Sequence, residues 1–184
     1  MADIGRRPAP VVVVMGVSGV GKTTVARLLA ERLDVPYAEA DDFHPAANIA
    51  KMSAGIALQD EDRWPWLQRI AAWMAEHADQ GSGGVITCSA LKRSYRDVLR
   101  AGCPEAFFLH LVGTPGLVGD RMSHRTGHFM PTSLLDSQFA TLEPLQPDEH
   151  GAVLDVGPGP AQLVEAALIL LAAGRPAGSS ASGS

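Results

Sequence analysis

The sequence predicts a three-layer α/β fold, with a five-stranded parallel sheet flanked by helices, on three observations. Short apolar runs alternate with amphipathic helical patterns along the chain, which is the mark of successive βαβ units. The first run, Val11–Met15, is apolar throughout rather than alternating, as a strand buried on both faces must be. A glycine-rich turn then leads from that run directly into the first helical pattern, as in a strand feeding its crossover helix.

The strands are expected at 11–15, 35–40, 84–88, 106–112 and 152–156, all short and rich in β-branched or aromatic residues. Val25, Leu28, Leu29 and Leu33 share one face of the first helix, and Leu67, Ile70, Ala71 and Met74 one face of a later one. Thr114 before Pro115 is a helix start, with Leu117, Val118 and Met122 turned inward. The last helix spans about 160–173 and stops at Gly174 and Pro176. The folded domain is therefore expected at 11–173. The ends, 1–10 and 174–184, lack periodicity and are expected to be disordered.

Composition narrows the function. Apolar residues make up 46% and charged residues 19% of the chain, which suits one globular domain and not a disordered one. The longest apolar run, interrupted at Gly16, falls far short of the roughly 20 residues that span a bilayer. The first ten residues show neither the apolar region nor the cleavage pattern of a secretory leader. Cys88 and Cys103 form no disulfide framework and no metal-ligand spacing, so a reducing cytoplasm is expected. The net charge is −5 and the 15 Lys and Arg are dispersed, which argues against a nucleic-acid partner. Any polyanion bound here must be small and gripped locally.

The segment Gly16-Val17-Ser18-Gly19-Val20-Gly21-Lys22-Thr23 matches the phosphate-loop pattern G-x-x-x-x-G-K-[ST] in full. Its glycines let successive N–H groups point at phosphate oxygens, and the following helix adds the positive end of its dipole. Lys22 supplies a cation to the terminal phosphates and Thr23 a hydroxyl for Mg²⁺. Thr24 follows in the same first turn and completes the candidate nucleotide contacts. The pattern says nucleotide, not reaction. The only asparagine, Asn48, precedes Ile49, and no Thr precedes a Lys, so the guanine-reading motif of GTPases is absent. The third predicted strand runs into Ser89-Ala90-Leu91-Lys92 rather than acidic residues, unlike an energy-coupling ATPase. A kinase for a small metabolite remains, with ATP as co-substrate.

Such a kinase needs a group to take the acceptor proton. Glu39-Ala40-Asp41-Asp42 follows the second predicted strand, at the sheet edge where ligands of open α/β sheets collect. Asp41 is the candidate base and Glu39 a candidate holder of a Mg²⁺-bound water. Helix capping is the competing role for these carboxylates.

Several clusters resemble the gluconokinase family of P-loop kinases: Asp41-Asp42-Phe43-His44-Pro45, Asn48, Lys51-Met52, Asp60 with Asp62-Arg63, and Pro65-Trp66-Leu67. Cys88-Ser89-Ala90-Leu91-Lys92, Tyr95-Arg96-Asp97, Gly127-His128-Phe129, Gln138-Phe139 and Thr141-Leu142-Glu143 extend the resemblance over nearly the whole chain. It implies the nucleoside-kinase type of P-loop fold, kinship with shikimate and adenylate kinases, and commonly a homodimer. It also implies the reaction of ATP with D-gluconate to give ADP and 6-phospho-D-gluconate. Glu39-x-Asp41 stands where related kinases often carry Asp-x-Asp.

The residues suit a polyhydroxy acid. Arg63, Lys92 and Arg96 are candidates for the acceptor carboxylate; Asp41, His44, His128 and Gln138 are candidates for its hydroxyls. The acceptor region is expected at about 43–63 and a basic lid at about 122–131. By the same resemblance, Arg121 stacks on adenine and Arg125 reaches the phosphates. The rival readings are a same-fold kinase for another acid, such as shikimate, and a nucleotide-binding regulator without turnover. The first is disfavoured because the third strand ends in Cys-Ser-Ala-Leu-Lys rather than a glycine run.

Overall fold

The computed structural model describes residues 7–123 and 132–174. Its sheet has five strands in the order β2-β3-β1-β4-β5, and every pairing is parallel. The strands are β1 (Val11–Met15), β2 (Tyr37–Glu39), β3 (Gly84–Thr87), β4 (Phe107–Val112) and β5 (Gly151–Asp155). The helices are α1 (Lys22–Leu33), α2 (Ala46–Ser53), α3 (Asp60–Asp79), α4 (Arg93–Gly102), α5 (Pro115–Ser123), α6 (Thr132–Thr141) and α7 (Pro160–Ala173).

The continuous apolar run of β1 is explained by its place in the centre. Val12 and Val14 face a cluster closed by Val25 and Leu29 of α1 and Leu163 and Ala167 of α7. Val11, Val13 and Met15 face the opposite cluster, closed by Leu67, Ile70 and Met74 of α3 and Leu99 of α4. Alternate side chains of a strand point to opposite faces, so both sets must be apolar. Each fully buried Leu, Ile or Met contributes about 1.5–3 kcal/mol of hydrophobic stabilisation. Together the faces give the three layers that the sequence predicts.

The expected boundaries shift where local geometry overrides composition. Asp34 adopts a left-handed conformation, φ 55°, that closes α1, and the Val35 N–H donates to Ala30 O at 3.0 Å. Val35 therefore belongs to the helix end, and β2 starts at Tyr37 instead of residue 35. At its other end β2 passes into a single 3₁₀ turn, Ala40–Phe43, that carries Asp41. The fold also starts before residue 11. The Ala9 N–H donates to Gly81 O at 3.2 Å, and Pro10 O accepts from the Gly84 N–H at 3.1 Å. Thr114 caps α5 as its sequence implies, its Oγ1 accepting from the Leu117 N–H at 3.2 Å.

Chain direction fixes where a ligand can bind. From β1 the chain visits β2 and β3 on one side and β4 and β5 on the other. The carboxyl end of β1 is thus the topological switch point, the crevice in which open α/β sheets bind ligands. Gly16 opens there with φ 145°, and a Cβ on it would lie 2.6 Å from the Leu111 carbonyl oxygen. Only glycine fits that approach.

Candidate active site

The residues after β1, β2 and β3 converge on one cavity of about 180 Å³, lined among others by Gly19, Lys22, Thr23, Glu39, Asp41 and Thr87. A larger cavity of about 460 Å³ is lined by Val11 and Phe107, the first residues of β1 and β4. It lies at the amino end of the sheet, away from the loops that carry the chemistry.

The phosphate loop has the shape its sequence predicts. Gly19 has φ 83°, and a Cβ there would lie 2.5 Å from Met122 Sδ, so α5 packs directly on the loop. Lys22 Nζ donates to Gly16 O and Val17 O, both at 3.0 Å. These bonds curl the lysine back over its own loop and hold the ammonium at the cavity.

Glu39 is the hub beneath. Thr23 Oγ1 donates to Glu39 Oε1 at 2.7 Å, Thr87 Oγ1 donates to Oε2 at 2.6 Å, and the Tyr37 hydroxyl donates to Oε1 as well. Burial alone would push this carboxyl up, but the Thr87, Tyr37 and Thr23 hydroxyls together outweigh it and hold it below the usual range. Glu39 therefore stays ionised. With its proton directed at Glu39, the Thr23 hydroxyl keeps lone pairs for a cation. Among the described residues no group of three or more His, Cys, Asp and Glu side chains converges. The donor set is one hydroxyl and one carboxylate, which fits a hard cation that completes its shell with water and phosphate oxygens, as Mg²⁺ does. Glu39, which stands where related kinases often carry Asp, thus reaches Thr23 directly.

Asp41 is exposed and lines the same cavity as Lys22 and Thr23. Cys88 lines it too, but burial pushes its thiol up to about 12, which leaves it protonated and inert. Behind Asp41, His44 stacks on Trp66 with centroids 4.4 Å apart. Its Nδ1 lies 3.2 Å from Asn48 Nδ2; the amide is a donor, so Nδ1 accepts. Burial lowers the His44 pKa; Asp41 pulls it up and Arg63 pushes it down. The imidazole is thus neutral near pH 7 and lies within electrostatic range of both charges.

Arg63 and Lys92 reach a shared neighbourhood from α3 and from the turn before α4. Each pairs with Asp60, at 3.5 and 3.3 Å, and Tyr95 Oη donates to Asp60 at 2.6 Å. Their side chains are 31% and 35% exposed, so they remain accessible to an acceptor.

Two expected acceptor ligands are corrected. Arg96 is fully buried and spent on structure. Its Nε and Nη2 donate to Glu149 at 2.8 and 3.1 Å, its Nη1 donates to Ala90 O at 2.8 Å and Leu91 O at 3.4 Å, and its Nη2 also donates to Pro144 O at 3.3 Å. No donor is left for a ligand. Gln138 serves the phosphate loop instead of an acceptor hydroxyl. Its Oε1 accepts from the Ser18 N–H at 2.7 Å and its Nε2 donates to Ser18 Oγ at 3.0 Å. Arg121 bridges the loop and the turn after β5, through Val20 O at 3.5 Å and Val156 O at 2.9 Å. Arg125, His128 and most of the expected lid lie outside the described residues.

Sequence reasoning missed roles for Thr87, Tyr37 and Asp60. Thr87 ends β3 as the last polar residue before Cys88, a position that the sheet-edge rule could have flagged. The period of a strand puts Tyr37 and Glu39 on one face, a signal that could have paired them. Asp60 reads from sequence as an ordinary acidic residue in a first helical turn.

A strand–loop–helix phosphate cradle facing a carboxylate, with paired cations beyond it, defines a P-loop phosphotransferase with a separate acceptor end. A family model described as "Shikimate kinase" matches residues 18–132. A gluconokinase of Gluconobacter oxydans is 53% identical over 137 residues, covering 74% of this chain and 77% of that protein. A crystal structure described as a sugar kinase from Janibacter sp. is 56% identical, with TM-score 0.83, covering 92% of this chain and 100% of that one. A gluconokinase structure from Sinorhizobium meliloti is 46% identical, with TM-score 0.79, covering 91% and 94%. The chain belongs to the gluconokinase family, whose fold it shares with shikimate kinases.

Proposed function

We propose that this chain catalyses ATP-dependent phosphorylation of D-gluconate to 6-phospho-D-gluconate. The observation that carries the reading is that Lys22 and Thr23 of the phosphate loop and Asp41 of the β2 turn line one cavity. The acceptor hydroxyl oxygen attacks the γ-phosphorus, the bond to the β,γ-bridging oxygen breaks, and ADP leaves with that electron pair. Asp41 takes the hydroxyl proton, while Lys22 and the loop amides stabilise charge on the transferring group. Thr23 and Glu39 would hold Mg²⁺, which supplies further neutralisation of the phosphate charge when bound.

The acceptor carboxylate is taken by Arg63 and Lys92, and His44 serves its hydroxyls. Neutral His44 suits that work: with Nδ1 accepting from Asn48, Nε2 carries the proton and can donate to a hydroxyl without drawing the carboxylate away from the cations. Arg121 flanks the nucleotide, with Arg125 and His128 completing the far side of the site. Among the described residues no helix is long and apolar enough to cross a membrane. A cytoplasmic homodimer is the setting we infer.

An ADP-coupled assay over a panel of sugar acids and shikimate tests the reading. Gluconate should be the preferred acceptor, and Asp41→Asn should cut kcat by about 10²–10⁴ with ATP affinity nearly unchanged. ADP release that ignores the acid, a strong preference for shikimate, or full turnover in Lys22→Met refutes it.

A further inference from the structure

The acceptor end carries a charge arrangement that the transfer chemistry does not itself require. Asp60, the first residue of α3, pairs with Lys92 at 3.3 Å and with Arg63 at 3.5 Å. Both cations also lie over the Tyr95 ring, 5.5 and 5.7 Å from its centroid. The Tyr95 hydroxyl is fixed on Asp60 at 2.6 Å, so one carboxylate and one aromatic ring set the position of both cations. The adjacent acid, Asp62, is tied separately to Lys51 at 2.8 Å. The Asp60 side chain is 38% exposed, so its charge is felt by a ligand at the cations and not only by its partners.

We propose that Asp60 is the charge-specificity determinant of the acceptor end: by offsetting one of two cations it leaves a single net positive charge, matched to one carboxylate. This rests on the reading of Arg63 and Lys92 as holders of the acceptor carboxylate. Two cations without Asp60 would favour a dianion more than a monoanion, because Coulomb energy scales with the product of the charges. Asp60 thus weakens gluconate binding modestly and weakens dianions more. A site beside a nucleotide's phosphates gains from that discrimination, since phosphate and phosphorylated product compete for bare paired cations. Asp60 touches the cations and not the reacting atoms, so it is a positioning and specificity residue.

The test is Asp60→Asn, in which the amide oxygen still accepts from Tyr95, with Asp60→Glu as the charge-retaining control. Steady-state kinetics at saturating ATP give the KM for gluconate, and inorganic sulfate serves as a dianion probe competing with gluconate. Removing one charge about 6 Å away in a largely aqueous setting should lower the gluconate KM about threefold. The sulfate inhibition constant should fall by about the square of that factor, roughly tenfold. Asp60→Glu should resemble the parent, and added salt should erase the difference. An unchanged or raised gluconate KM in Asp60→Asn, or equal shifts for the two anions, overturns the proposal. Arg63→Ala and Lys92→Ala separate the two layers of argument. If neither raises the gluconate KM, the acceptor reading fails and the role of Asp60 fails with it. If both raise it while Asp60→Asn gives no dianion preference, the role of Asp60 alone fails.

Discussion

Replacing Arg96 with methionine removes five hydrogen bonds from a side chain that is fully buried. Its partner Glu149 is also wholly buried at the side chain. Burial pushes the Glu149 carboxyl up, but hydrogen bonds from Arg96, the Gln146 N–H and Arg100 overcome this and bring it down to about 2. Breaking a buried pair by deleting one partner costs about 3–5 kcal/mol, because the other charge is left uncompensated. Glu149 would keep Arg100 Nη1 and the Gln146 N–H, both at 2.8 Å, so the lower end, about 3 kcal/mol, is expected. At this chain length each kcal/mol moves the melting temperature by about 2–4 °C, giving a drop of about 6–12 °C. Circular dichroism melts measure it. Pairing Arg96→Met with Glu149→Gln should recover part of the loss, since no unbalanced buried charge then remains. A melting temperature within about 2 °C of the parent, with a gluconate KM raised tenfold or more, would refute the reasoning and return Arg96 to the acceptor site.

Two further outcomes follow from single residues. Gln138→Ala deletes both contacts to Ser18 and should raise the KM for ATP about three- to tenfold while leaving that for gluconate unchanged; the reverse pattern would restore Gln138 as an acceptor ligand. His110 is 2% exposed, neither ring nitrogen has a hydrogen-bond partner among the described residues, and burial, then Arg96, depresses its pKa to about 4. The unfolded state therefore binds this proton below about pH 6.5 and the folded state only below about pH 4. Stability from a neutral His110 is complete above pH 6.5 and is lost as pH falls toward 4, by up to about 3 kcal/mol. Urea unfolding of His110→Leu should show a shallower loss over that window, and a slope identical to the parent's would exclude His110 as its source.

Much of the site was legible because its chemistry is local in sequence. The phosphate loop needs consecutive glycines, a lysine and a hydroxyl between a strand and a helix, and Gly16 through Thr23 supply them in one stretch. Asp41 was legible from position, two residues past the end of β2. The role of Arg96 is not legible because sequence cannot separate a guanidinium facing solvent from one facing a buried carboxylate 53 residues away. Periodicity did hold the clue. Tyr95, Arg96 and Leu99 form the buried face of α4, and an arginine on an apolar face is more readily a structural ion than a ligand contact. Gln138 failed for the same reason of distance, its partner lying 120 residues upstream.

The structural role of Arg96 also explains why the Cys-Ser-Ala-Leu-Lys, Tyr-Arg-Asp and Thr-Leu-Glu segments belong together. Ala90 is held at φ 46°, a left-handed conformation that costs a non-glycine residue about 1–2 kcal/mol. Arg96 binds its carbonyl from one side. From the other, the Glu143 N–H donates to Leu91 O at 2.7 Å and the Glu143 carboxylate accepts from the Arg93 N–H at 2.9 Å. The turn is thereby locked between α4 and the segment before β5, and Lys92 is the residue that emerges from it toward Asp60. The phosphate end is built on β1 and α1, with Gln138 as its long-range support, and it meets this turn at a backbone bond from the Gly16 N–H to Ser89 O at 3.3 Å. A change in the α4 anchor should therefore alter acceptor kinetics without altering nucleotide affinity. A change at Ser18 or Gln138 should do the opposite, because the side-chain hydrogen bonds that brace the two ends are different sets.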